Sequence, residues 1–442
     1  MKLKTVIKNV LLGSVAGLAM VGTAAAADLP VKAKAAEYVK ICSTYGAGFY
    51  YIPGTDTCLK VGGYVTADTY YTDIDAKSRY TSPDLLIRNS DDPDGQSYFL
   101  TRVGVQLDAR TQTEYGTLRS YFEGRFNAGE DYGFGQEIET GEFDFSDGSV
   151  NSAQMKYGYI QFAGFTFGRA TSAFDFWAGD GWQGIQPGSF YSDTTLNVVQ
   201  YTADFGNGFS ATIALEDSYG REDQYANFVE LDGQQVPDIV ANIAYEGTWG
   251  AFKIAGAYHQ IGNYDPLTPD LAPFFSSDDS GWAALAGVRF DFAETTTLYV
   301  EGAYASGAPG YLGLAGTIPV VDLYGNGIAG WYVGGALIHY WTPSVFTTLV
   351  GSYTQSDNFQ TEYAFVYGPV TDPSVVSGIA STDFTGYNVG VNIGWVPVKG
   401  LTLVLQYDYL SAEYAGTDYI NTAAVSTEAT QNRITFSAKR SF

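Results

Sequence analysis

Histidine and cysteine are nearly absent from the 442 residues, with two of each. Two cysteines with no histidine beside them make half a zinc site at best. Neither a glycine-rich phosphate loop nor a dinucleotide fingerprint occurs, and no serine is singled out as a nucleophile by a neighbouring base. The two histidines, His259 and His339, fall towards opposite ends of their segments and cannot share a site. No catalytic residue, metal or cofactor is therefore expected. Basic residues are scarce too, 23 against 48 acidic ones, so nucleic acid is an unfavourable partner. Beyond residue 27 no stretch offers the roughly 18 apolar residues that a membrane-spanning helix requires.

What is present begins with Lys2, Lys4 and Lys8, an uncharged run from Val10 to Met20 and the small residues Ala24-Ala25-Ala26-Ala27. This is the pattern of a secretory signal peptide, 1–26. A single spanning helix is the alternative, but the run dilutes into Gly, Thr and Ala where a helix needs bulk. Cleavage after Ala26 or one residue later fits; the first leaves 416 of the 442 residues. It also removes three of the 23 basic side chains, so 20 face 48 acidic ones and the formal charge is −28. Export places Cys42 and Cys58 in an oxidising compartment, where a thiol pair is normally a disulfide. Residues 27–58 then form a stapled N-terminal segment on the periplasmic side.

From Leu59 onward the chain repeats one unit: alternating apolar and polar residues, then a very short turn or a long polar loop. In Leu401-Thr402-Leu403-Val404-Leu405-Gln406-Tyr407-Asp408-Tyr409 the odd positions are apolar, and in Arg433-Ile434-Thr435-Phe436-Ser437-Ala438-Lys439 the even ones are. Phe442 continues the second parity. A soluble sandwich also alternates, but aromatics near strand ends, such as Tyr407, Tyr409 and Phe442, match an interfacial girdle better. Aromatics make up 16% of the chain, which suits strands. With no spanning helix, a membrane protein of this kind must close a barrel to satisfy its backbone. Short turns at 112–115, 163–164, 205–208, 247–250, 293–296, 342–344 and 397–400 form a periplasmic set. Between them lie long loops at 74–96, 129–150, 219–235, 262–280 and 355–382. Seven turns between eight hairpins predict an all-β, antiparallel transmembrane barrel over 59–442 with about 16 strands; a miscount of one hairpin gives fourteen or eighteen. A barrel of 16 strands is wide enough to hold water.

One loop, 170–197, is a candidate to fold inward as a constriction. It follows Phe165-Thr166-Phe167-Gly168-Arg169 and carries Asp175, Asp180 and Asp193 among Phe174, Phe176, Trp177 and Trp182. The aromatics would anchor it on the wall and the carboxylates would face the channel; an ordinary solvated surface loop is the bland alternative. In Leu118-Arg119-Ser120-Tyr121-Phe122-Glu123-Gly124-Arg125-Phe126 the even positions are apolar or small, so Arg119, Glu123 and Arg125 point inward, as does Arg102. An arginine facing lipid would cost about 2–4 kcal/mol at the midplane. Arginines facing loop carboxylates would set up a transverse field that filters ions. Plain salt bridging to Glu123 and Asp108 is the alternative. Arg169 shares parity with Phe165 and Phe167, and a bulge at Gly168 is expected to swing it inward. The inward tyrosines Tyr64, Tyr70 and Tyr121 could instead begin the aromatic track of a substrate-specific channel.

The stretch EYVKICSTYGAGFYYIPGTDTCLKVGGYV, Glu37 to Val65, resembles the opening of the general porins of alphaproteobacteria, the rhizobial and Brucella type. The match covers both cysteines, the segment between them and the first strand. It extends more loosely through Phe167-Gly168-Arg169 to Phe442. The resemblance implies a homotrimer of sixteen-stranded, non-specific channels in the outer membrane, among lipid and lipopolysaccharide, passing small hydrophilic solutes and ions. It also implies an acidic third external loop narrowing the pore against a basic wall, roles that fit Asp175, Asp180 and Asp193 on one side and Arg102, Arg119 and Arg125 on the other. Phe442 would be the assembly signal, and trimer contacts would lie near the first and last strands.

Overall fold

The computed structural model describes residues 40–81, 86–91, 95–129, 152–177, 191–218, 221, 229–231, 236–260, 264–266, 280–313, 329–367, 374–418 and 423–442. The signal peptide expected at 1–26 and the part of 27–58 before Lys40 lie outside the described residues. Sixteen strands form the wall. They are β1 (Cys58–Thr81), β2 (Gln96–Thr113), β3 (Gly116–Gly129), β4 (Ser152–Phe162), β5 (Phe165–Thr171), β6 (Thr195–Gly206), β7 (Phe209–Glu216) and β8 (Asp238–Gly247). They continue as β9 (Gly250–Gln260), β10 (Ser280–Phe292), β11 (Thr296–Ser306), β12 (Ala329–Thr342), β13 (Val345–Tyr367), β14 (Ser374–Val398), β15 (Leu401–Asp418) and β16 (Ala424–Ser441). Each pairs antiparallel with its chain neighbours, and β16 returns to pair with β1, so the sheet is closed. Closure removes the edges that a sheet in lipid could not leave unpaired. No helix among the described residues is long and apolar enough to cross a membrane.

All seven expected tight turns are present. Positive φ at Ala163, Asn207 and Ala293 lets three of them reverse the chain within two or three residues. At the seam the last residue continues the ladder: Gly63 N–H donates to Phe442 O at 3.1 Å and Phe442 N–H donates to Gly63 O at 3.0 Å. Two expected loops are ladders instead. Over 74–96, β1 runs on to Thr81 and Leu86–Asp91 folds back along 76–81. Over 355–382, β13 and β14 stay paired as far as Tyr367 and Ser374. The apolar alternation that marks a strand in sequence fades over these extensions while the backbone pairing persists. Most of 129–150, 219–235 and 262–280 lies outside the described residues.

Parity separates the two faces. On β10, Gly281, Ala283, Leu285 and Gly287 are buried on one face while Trp282, Ala284 and Ala286 are exposed on the other. The exposed set around the ring is large and apolar, including Ile243, Ile254, Val389 and Leu405, which is the lipid-facing surface. Aromatics close it at both levels. Towards the short turns, Phe209, Tyr245, Trp249 and Phe290 follow one another at 4.9, 5.5 and 5.7 Å between ring centres. Towards the long loops, Trp282 meets Tyr304 and Trp331 meets Tyr353 at 5.4 and 5.3 Å. Trp282 and Phe290 lie eight residues apart on β10, roughly 27 Å along the strand and about 20 Å in height at the tilt of such barrels, the scale of an apolar band flanked by aromatic girdles.

Candidate functional site

The chain leaves β5 at Thr171 and turns onto the inner wall rather than away from it. Residues 172–177 and 191–194 lie against the inward faces of β7 to β13. The wall is cut to receive them: Ala214, Ala255, Ala257, Ala283, Ala303 and Ala305 form one buried cluster with Phe174, Tyr191, Tyr311 and Leu312. Trp177 packs on Ala336 and Val350 and stacks on Tyr191 with ring centres 4.9 Å apart. A Cβ at Gly287 would stand 2.2 Å from the Phe176 ring, so glycine there is what admits the phenylalanine.

Polar wall residues grip the backbone of the loop. Glu216 on β7 accepts from Ala173 N–H at 2.6 Å and from Ser172 Oγ at 2.7 Å. Asn242 on β8 donates to Ala173 O at 2.6 Å, and Lys253 on β9 donates to Asp175 O at 2.5 Å. Glu301 on β11 accepts from Trp177 N–H at 3.0 Å and from Tyr332 Oη at 2.8 Å. The two arms of the loop are tied together by Asp175, which accepts from Ser192 Oγ at 2.5 Å and Thr194 N–H at 2.6 Å.

Arg221, which follows β7, closes this assembly. Its Nη2 donates to Ser172 Oγ at 2.7 Å and Asp175 Oδ1 at 3.2 Å; its Nη1 donates to Ser192 Oγ at 3.0 Å and Gly310 O at 3.3 Å. Its flat face lies 3.9 Å from the centre of the Tyr311 ring. Burial works against the charge, but Asp175, Tyr311 and Glu216 outweigh it and hold the guanidinium pKa above its ordinary value. Tyr311 donates to Asp238 at 2.6 Å, and Asp238 lies 2.8 Å from His259 Nδ1. His339 stands apart, against Thr296.

The opposite arc of the ring, β1 to β4, carries a second polar set. Arg119 Nε and Nη2 donate to the two Asp108 oxygens at 3.0 and 3.1 Å, and Arg110 grips the same carboxylate at 3.0 and 2.7 Å. Arg125 donates to Glu123 at 2.8 Å, and Glu123 also accepts from Gln106, Tyr64 and Tyr121. Arg102 donates to Asn127 at 2.7 Å. Arg119 also lies over Tyr121 and Tyr159, which stack at 5.3 Å. Lys439 on β16 sits 4.7 Å over Tyr64. Arg119 and Arg125 are salt-bridged at the inward parity of their strand. Unlike Arg221 they keep contact with solvent: Arg119 and Arg125 are 25% and 17% exposed.

Two expected placements are overturned. Asp175 does not face the channel; its carboxylate is buried and spent on Ser192, Thr194 and Arg221. Arg169 does not swing inward. Register runs unbroken through Phe167, Gly168 and Arg169 on both sides, and Arg169 Nε donates to Met155 O at 3.0 Å from the outward parity. The irregularity lies on the neighbouring strand, where Glu123 pairs with Tyr157 but Gly124 pairs with Met155, leaving Lys156 extra. Asp193 is partly exposed and within electrostatic reach of Tyr157 on β4. Asp180 lies outside the described residues, as does Trp182. Cys42 and Cys58 form the disulfide. Glu216, Asn242, Glu301 and Arg221 were not anticipated. The first three sit at inward parity among apolar neighbours, a signal that could have found them; Arg221 has no periodic context to mark it.

The profile of the porin subfamily matches residues 28–437. The chain belongs to this porin family. It is similar to porin Omp2b of Brucella suis biovar 1, 33% identical over 318 residues, covering 68% of this chain and 75% of that one. Omp2b of Brucella canis is 32% identical over 323 residues, with the same two shares. Among solved structures, the outer-membrane channel DcaP of Acinetobacter baumannii superposes with a TM-score of 0.59 at 16% identity, covering 89% of this chain and 99% of that one; that likeness speaks to the barrel fold. Family and fold together make this an outer-membrane β-barrel channel.

Proposed function

We propose that solutes pass through this porin by passive diffusion and are filtered where the inward loop faces the arginine-bearing wall. Transport, not catalysis, is its activity in this reading. The observation that carries it is the position of residues 172–177 and 191–194, bolted to β7–β13. In the strand ring that arc lies across from β2 and β3, which bear Arg102, Arg119 and Arg125. Asp193 is the described loop carboxylate left to face them. Cations on one side and a carboxylate on the other create a field across the lumen that orients dipolar solutes and selects ions by charge.

The functional unit in this reading is a homotrimer. β5 and β7 have 7 and 8 residues, fewer than the roughly 9–11 that a tilted strand needs to span the apolar layer, so this low sector suits a neighbouring copy better than lipid. That moves the expected contact away from the first and last strands. The remaining outward belts would face outer-membrane lipid and lipopolysaccharide, and Phe442, which completes the seam, would be the assembly signal. The test is reconstitution in a planar bilayer. Stepwise conductance in groups of three is expected, proportional to salt and unsaturated by sugars; correctly folded protein giving no steps would sink the reading.

A further inference from the structure

The disulfide-closed segment before β1 does not stand away from the barrel. Cys58 has the inward parity of β1 and pairs across from Arg110 on β2, so the bridge to Cys42 opens onto the inner face. The segment follows it there. Cys42, Phe49 and Cys58 are buried together, Tyr45 Oη donates to Gln112 Oε1 at 3.5 Å, and Gly48 lies over the Lys60 side chain, a Cβ there meeting it at 3.5 Å. All of this is at the short-turn end, remote from the loop after β5.

What it rests on is charged. The Arg110 guanidinium lies 5.0 Å from the centre of the Phe49 ring and 5.7 Å from that of Tyr45, while its edge is held by Asp108. A planar cation with its face covered by an aromatic and its edge paired with a carboxylate is fixed in orientation. The same carboxylate holds Arg119, and Lys60 pairs across from Asp108 in register. Two guanidinium groups thus clasp one carboxylate, with Lys60 on the facing strand at the same inward parity, where the lumen opens towards the short turns.

We propose that this stapled segment is a second selectivity element, narrowing the short-turn mouth and holding Arg110 in a cationic ring that favours anionic solutes, in series with the loop constriction. The proposal rests on the barrel conducting. A disulfide confines the freed segment, and cutting it enlarges the set of positions that segment can take. Phe49 then leaves Arg110, the mouth widens and the cationic ring loosens.

The test compares single channels of oxidised wild type, the same channels after reduction in the bilayer, C42S/C58S, R110Q and the triple variant, in a potassium chloride gradient. Reduction and C42S/C58S are expected to raise conductance and move the reversal potential towards cation preference. R110Q should move selectivity in the same direction, and the reversal potential of the triple variant should go no further than that of R110Q alone. Unchanged conductance and reversal potential on reduction would overturn the proposal, as would effects of the bridge and of Arg110 on the reversal potential that simply add. Reducing the wild type after insertion keeps the comparison valid if C42S/C58S fails to assemble. Absence of channels from oxidised wild type would instead count against conduction itself.

Discussion

The inner faces of β7–β13 and of β1–β4 carry the same chemistry, carboxylates held against cationic side chains, and use it in opposite ways. On the first, Arg221 and Asp175 are 1% and 0% exposed at the side chain, sealed beneath Tyr311 and Phe174. On the second, Arg119 and Arg125 bridge their acids with part of each side chain in contact with solvent. Burial decides the difference. A sealed ion pair contributes little to net stability but is costly to break, because the surviving partner is left uncompensated. A partly solvated pair costs little to break and still projects its field into the lumen. One arc therefore holds the loop, and in the proposed reading the other filters what passes it.

Removing Arg221 tests the holding arc most severely. Arg221→Ala leaves Asp175 and Glu216 buried without their cation, a cost of about 3–5 kcal/mol for a broken buried pair. The loop should lose its attachment, giving larger and noisier single-channel currents and earlier loss of the folded band on heating. Wild-type current steps from this variant would mean that the alanine-lined wall alone suffices. Gly287→Val is the next largest, since a Cβ there overlaps the Phe176 ring and overpacking costs about 1–3 kcal/mol. It should alter conductance with the ion preference retained. Gly256→Ala on the adjacent strand, where a Cβ would come no nearer than 3.8 Å to another atom, is the matched control and should conduct as wild type.

The contrast between the arcs also marks how far the sequence could be read. Parity is a local property, so Arg102, Arg119 and Arg125 could be assigned to the inner face from their immediate neighbours. The seven turns followed from their own short polar runs. Asp175 could not be read that way: between Phe174 and Phe176 it resembles a carboxylate presented by its neighbours to water. The partner that buries it comes from 46 residues further on, in a stretch with no period. Arg169 failed for a related reason. Its own parity pointed outward, and the extra residue that could have changed it belongs to the adjacent strand at Lys156. The stapled segment was legible as a disulfide but not as part of the lumen, because its seat is formed by Arg110 across the ladder.

The smallest expected effect sharpens the filtering arc. Arg119→Gln and Arg125→Gln keep a donor of nearly the same reach, so the barrel should assemble and melt as wild type. The two carboxylates left behind are not equivalent. Asp108 keeps Arg110, while Glu123 keeps the neutral donors Gln106, Tyr64 and Tyr121. Arg125→Gln should therefore expose the larger negative field and shift the reversal potential further towards cations than Arg119→Gln. Both shifts should shrink between 0.1 M and 1 M salt, as the screening length falls from about 10 Å to about 3 Å. A shift that survives high salt undiminished would point to altered pore shape, and equal shifts from the two variants would deny that the residual partners set the field.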